Sequence, residues 1–268
     1  MDEPAGRGGQ TRLPSVTVSN VTKTFGTSVV ALKNLSLEVM QGEFVAFLGA
    51  SGCGKSTALR LIAGLSQPTM GTVDLHGTSA KKGEISFVFQ EPTLMPWATV
   101  HQNVYLPMRL KGLPKREVDE RIREVLEMVN LTRFADAYPR QLSGGMKMRC
   151  SIARAMITQP KLVLMDEPFA ALDELTRHRL NDDLLALWDR FKWTVIFVTH
   201  SVFESTYLAS RTLVFSPQTS RIFGEIDIDV PYPRSQALHT DVRFMSFVQQ
   251  SSNILKAASG IDTEGDDA

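Results

Sequence analysis

The sequence predicts an α/β fold: a buried, largely parallel sheet that carries an antiparallel β edge and an inserted helical lobe. Three observations predict it. Residues 43–64, EFVAFLGASGCGKSTALRLIAG, read as strand, glycine-rich loop and helix. Two later runs, Leu162–Met165 and Thr194–Val198, are continuously apolar, the mark of parallel strands covered on both faces. From Val100 to Ile157 the hydrophobic period changes from that of strands to that of helices.

Composition bounds the rest. The chain has 268 residues, 43% hydrophobic and 22% charged, with 29 basic and 29 acidic side chains. That balance leaves no electrostatic footprint for nucleic acid or an anionic membrane surface. Cys53 and Cys150 make no C-x-x-C pair, which argues against a disulfide framework or zinc ribbon and fits a reducing cytosol. No apolar run reaches the ~18 residues of a membrane span. Residues 1–13 are polar and glycine-rich, without the apolar centre of a signal peptide, and read as a disordered tail. The acidic end, 260–268, reads the same way.

In chain order, Ser15–Ser19 and Leu35–Val39 alternate and predict an antiparallel edge sheet. Between them, Phe25 is either a strand-end core residue or an aromatic available to stack on a purine. The stretch Gly49-Ala50-Ser51-Gly52-Cys53-Gly54-Lys55-Ser56 fits G-x-x-x-x-G-K-[ST]. Its glycines let successive N–H groups point inward, and the helix behind, from Thr57 to about Ala63, adds its positive dipole end. Lys55 then reaches phosphate, and Ser56 offers a hydroxyl to Mg²⁺. Thr72–Leu75 and Glu84–Phe89 read as strands, Lys81–Gly83 as a solvated turn, and Gln90-Glu91-Pro92 ends the second strand. Trp97, in the loop TLMPWAT, is either a binding-surface residue or a cap on the core.

Val118, Ile122, Val125, Leu126 and Val129 share one helical face. Ser143-Gly144-Gly145 opens another helix, a weak anion-site signal by itself. Asp166 and Glu167 end the first apolar run, where ligands bind in open α/β sheets. Asp166 suits Mg²⁺, and Glu167 suits the orientation or deprotonation of an attacking water. A helix follows with Leu180, Leu184, Leu187, Trp188 and Phe191 on its core face. Thr199-His200 ends the second apolar run, Thr212–Phe215 and Arg221–Ile228 close the sheet, and Asp241–Ala258 reads as a terminal helix.

Together, Phe25, the loop 49–56, Gln90, LSGGM at 142–146, LVLMDEP at 162–168, Asp173 and His200 resemble the ATP-binding cassette (ABC) ATPase domain across about residues 14–230. The resemblance implies a P-loop NTPase (RecA-like) core at 14–90 and 158–230, with the antiparallel edge as a subdomain. It places a helical lobe at 91–157 and a C-terminal extension at 231–268. It also implies ATP and Mg²⁺ as cofactors and a head-to-tail homodimer. Phe25 would stack on adenine. The loop from Gly49 through Thr57 would hold the phosphates, and Ser56, Gln90 and Asp166 would surround the metal. Glu167 would be the general base, with Lys55, Gln90 and His200 completing the catalytic set. Ser143, Gly144 and Gly145 would close the site from the second subunit, and Asp173 would couple the two sites. Met146 and Met148 depart from the glutamines commonest at those positions, which bears on the cross-dimer contacts.

LMPWATVHQNVYLP, PFAALDELTR and FSPQTSRIFGEIDIDVPYPR further resemble the nitrate, sulfonate, taurine and bicarbonate importer ATPases. This implies a cytoplasmic protein, peripheral on the cytoplasmic face of the cell membrane. Its partners would be an integral-membrane permease, with Trp97 at the contact, and indirectly a solute-binding protein, with no nucleic acid. The segment after the core is too short for the regulatory β-domain of sugar-importer ATPases. The competing expectations are a soluble ABC ATPase acting on nucleic acid or ribosomes, and a P-loop kinase or GTPase.

Overall fold

The computed structural model describes residues 13–26, 29–78, 83–218 and 220–260. The expected tail at 1–12, the turn residues Lys81 and Lys82, and the acidic end from 261 lie outside the described residues.

Two sheets form. The larger, six-stranded sheet has the order β5(Ile85–Val88), β6(Leu162–Asp166), β7(Thr194–Thr199), β3(Phe44–Leu48), β8(Arg211–Ser216), β9(Arg221–Asp227). It is parallel except for β9, which pairs antiparallel with β8. The smaller, antiparallel sheet has the order β2(Val29–Met40), β1(Pro14–Phe25), β4(Met70–Asp74).

The period of two along β3 shows why its sequence is apolar throughout. Phe44, Ala46 and Leu48 enter one core, and Val45 and Phe47 enter the other. The first core lies under α2(Val100–Leu110), α3(Lys115–Met128), α4(Gly144–Met156), α5(Glu174–Phe191), α6(Val202–Leu208) and α7(Val242–Ala258). The second is closed by α1(Lys55–Ile62) and the antiparallel sheet. The residues that follow β3, β6 and β7, at the C-terminal edge of the parallel strands, form the site.

Two sequence expectations are corrected. β1 runs well past the alternating stretch 15–19, because register shifts between Val18 and Val21 and again near Lys23 break its alternation. Phe191 does not point into the core: it is 38% exposed and stacks on Trp193 at 4.9 Å. Lys192, at φ 51°, ends α5 in the left-handed conformation and turns the chain just there.

Candidate active site

β3 empties into the loop 49–54, and α1 begins at Lys55. Two glycines make the loop's path possible. A Cβ on Gly49 would sit 2.8 Å from the Phe215 carbonyl oxygen. Gly54, at φ +97°, would place one 2.4 Å from the Ala31 carbonyl oxygen of β2, so only glycine lets the loop lie this close to the antiparallel sheet. Phe25, which pairs with Val29 at the end of the same hairpin, is 48% exposed, with Lys23 Nζ 5.1 Å over its ring. Phe25 is thus a half-exposed strand-end residue rather than a core one.

Lys55 is 3% exposed, and its ammonium donates to the carbonyls of Gly49 at 2.7 Å and Ala50 at 2.9 Å. Its Nζ also lies 3.9 Å from Glu167 Oε1. Ser56 Oγ donates to Asp166 Oδ1 at 2.6 Å, which joins the first turn of α1 to the end of β6. Burial raises the Asp166 pKa, against the Ser56 hydrogen bond and the nearby Arg60. Glu167 follows at φ 46° in the left-handed region, strain typical of a functional turn. Its Oε2 is 3.0 Å from His200 Nδ1, just past β7. Lys55, Ser56, Asp166, Glu167 and His200 are therefore one connected cluster.

Ser56 Oγ and Asp166 Oδ1 are hard oxygen donors. Among the described residues no three His, Cys, Asp or Glu side chains converge to hold a metal alone. The Ser56 and Asp166 oxygens fit a Mg²⁺ that takes most of its ligands from phosphate and water. Gln90, exposed, follows β5, whose Val88 pairs with Met165, so it lies at the same strand edge as Asp166.

The structure does not bring the LSGGM residues to this cluster through any hydrogen bond or ion pair among the described residues. Ser143 caps α4, its Oγ accepting from Met146 N at 3.3 Å. Gly145 is a packing requirement too: a Cβ there would lie 2.6 Å from Thr176 Cγ2, at the start of α5. Asp173 caps that helix by accepting from Thr176 N at 3.0 Å, which lowers its pKa. Trp97 is 75% exposed, so it does not cap the core. It borders a cleft of about 440 Å³ with Met95, His101, Tyr105, Arg109 and Lys115.

Sequence reading missed Glu204 and Arg177. Glu204 is 5% exposed and accepts a hydrogen bond from Thr199 Oγ1, next to His200. Arg177 Nε lies 3.7 Å from its other oxygen. Each looks, in sequence, like an ordinary polar residue of a helix; only the buried contact between Arg177 Nε and Glu204 Oε1 marks them.

A sheet whose strand opens into a glycine loop, with buried lysine and paired acids at the neighbouring strand end, defines a P-loop NTPase. The chain belongs to the ABC transporter family, whose model matches residues 32–170. An uncharacterised ABC transporter ATP-binding protein of Methanocaldococcus jannaschii is 48% identical over 244 residues, covering 89% of this chain and 90% of that one. The nitrate import ATP-binding protein of Synechocystis is 40% identical, covering 88% and 92%. The aliphatic sulfonates import ATP-binding protein of Bacillus cereus is also 40% identical, covering 83% and 89%. Among solved structures, a dimeric post-hydrolysis state of an ATP-binding cassette bound to ADP and Pi superposes with a TM-score of 0.72 at 34% identity, covering 81% of this chain and 100% of that one. The chain is accordingly an ATP-binding, ATP-hydrolysing subunit of the ABC transporter family.

Proposed function

We propose that this chain powers an importer of a small solute, resembling nitrate, sulfonate, taurine or bicarbonate, through a separate permease. The observation that carries the catalytic part is the Glu167 carboxylate, held between Lys55 Nζ at 3.9 Å and His200 Nδ1 at 3.0 Å. Glu167 orients and deprotonates the attacking water. Lys55 leaves its two loop carbonyls to hold the β- and γ-phosphates, and the loop amides complete the cradle. His200 meets the γ-phosphate and fixes the Glu167 carboxylate. Ser56 and Asp166, with Gln90, hold Mg²⁺, which when bound neutralises charge developing on the phosphates. Phe25 stacks on the adenine.

The chain works as a head-to-tail homodimer. Ser143, Gly144 and Gly145 present a second helix N-terminus to the partner's nucleotide, where amide donors and dipole favour the anion. Asp173 sits at the seam.

The exposed Trp97 cleft, with Arg109 and Lys115 at its rim, receives the permease on the cytoplasmic face of the membrane. Relatives named for nitrate and for sulfonate stand at equal identity, so the solute is given only as a class of small solutes. Co-purification tests the reading: wild-type chain should bring down its permease, Trp97→Ala should lose it while keeping basal ATPase, and retention by the variant would refute the docking site.

A further inference from the structure

Two buried polar atoms face each other without meeting. Arg177 Nε and Glu204 Oε1 are both buried, neither has a hydrogen-bond partner among the described residues, and they are 3.7 Å apart. That distance is an ion pair but too long for a hydrogen bond. Buried groups left so need a reason, and the neighbours supply one.

On one side, Glu204 holds the turn that carries His200. Its Oε2 accepts from Thr199 Oγ1, that same oxygen accepts from Ser201 N at 2.9 Å, and Ser201 Oγ returns to accept from Glu204 N at 3.2 Å. The three bonds enclose His200. On the other side, Arg177 Nη2 donates to the Leu172 carbonyl at 3.0 Å, one residue before Asp173. Asp173 in turn caps α5, on whose first turns Arg177 lies. The chain of contacts runs from the Asp173 turn, through one guanidinium and one carboxylate, to the His200 turn.

We infer that Arg177 and Glu204 are positioning residues that tie the Asp173 turn to the His200 turn, with a gap that closes to a hydrogen bond when ATP and the second subunit draw the two turns together. The inference rests on the roles proposed above for His200 and Asp173, and it adds the link between them. Burial raises the Glu204 pKa, with Thr199 and then Arg177 opposing, as expected for a carboxylate whose cationic partner is near but not fully engaged. A planar guanidinium suits the task because one face of the fork stays on the Leu172 carbonyl while Nε moves toward Glu204.

The test compares Arg177→Met, Glu204→Gln, their combination and Arg177→Lys in the full chain, reading ATPase kcat, nucleotide Kd and the Hill coefficient for ATP. Each of the first two should lower kcat about tenfold or more, leave nucleotide Kd within about twofold, and bring the Hill coefficient toward one. The combination should be no worse than either single change, since coupled residues are non-additive. Arg177→Lys, which keeps the charge but not the fork, should recover kcat only in part. Thermal midpoints separate misfolding from loss of positioning, and Arg177→Lys remains informative if Arg177→Met fails to fold. Unchanged kcat and Hill coefficient, or losses that multiply in the combination, would overturn the inference. Glu167→Gln is run alongside: if it keeps hydrolysis, the active-site reading fails, whereas if it abolishes hydrolysis while these variants behave as wild type, only the link fails.

Discussion

Lys55→Met isolates the cradle from the fold. Methionine keeps the length and apolar stem of the lysine and removes the ammonium. In this structure that ammonium is already engaged, bonded to the Gly49 and Ala50 carbonyls and buried. To bind phosphate it must exchange these bonds for the nucleotide. A unit charge 4 Å from a phosphate oxygen is worth about 4 kcal/mol in a site of effective dielectric ~20. Two hydrogen bonds from a charged donor given up cost about 1.5 kcal/mol each net. The exchange leaves roughly 1 kcal/mol, so the variant should bind ATP about 5-fold more weakly. Stability should move less, because the loss of the two bonds is offset by removal of a buried charge. Nucleotide-binding fluorescence reads the affinity and a urea melt reads the fold. An affinity within twofold of wild type would refute the reasoning; so would an affinity loss matched by a collapse in stability, which would make Lys55 a structural strut.

Other expectations follow from the same geometry. Gly54→Ala should cost roughly 3 kcal/mol or more, since positive φ strain adds to a backbone clash with Ala31, whereas Gly52→Ala, also at positive φ but facing open space, should cost about 1 kcal/mol; urea midpoints decide. Glu204 supplies a pH dependence. Its folded pKa is raised by burial, so its contribution to stability is greatest below the unfolded carboxylate pKa and is lost as pH rises through the folded value. Glu204→Gln should therefore gain in thermal midpoint relative to wild type at pH 8 compared with pH 5, and an equal difference at the two pH values would contradict the burial argument. Trp97→Ala, as described, should separate permease binding from ATPase.

Much of this arrangement was legible in the sequence because it is local. A loop that must expose its amides and bury a lysine writes its glycines at fixed spacing, and a strand covered on both faces writes itself apolar, as Leu162–Asp166 and Thr194–Thr199 do. Strand ends then place Asp166, Glu167 and His200 without further information, since parallel neighbours share an edge. What the sequence hid is non-local or irregular. The length of β1 is hidden by its bulges, which break the period of two. Gly145 looks like an anion-site glycine and is also a packing glycine, because Thr176 lies against it from another helix. Arg177 and Glu204 are far apart in the chain, and neither is unusual in its own helix. Their meaning exists only where α5, α6 and the two turns come together.

Glu167 as the base of a site completed by a second copy is tested most directly by ATP turnover of Glu167→Gln together with its mass in solution with ATP and Mg²⁺. The variant should bind ATP at near-normal affinity, hydrolyse it at least about 100-fold more slowly, and form a stable dimer that wild type forms only transiently. Hydrolysis at the wild-type rate, or a variant that binds ATP and stays monomeric, would contradict that role.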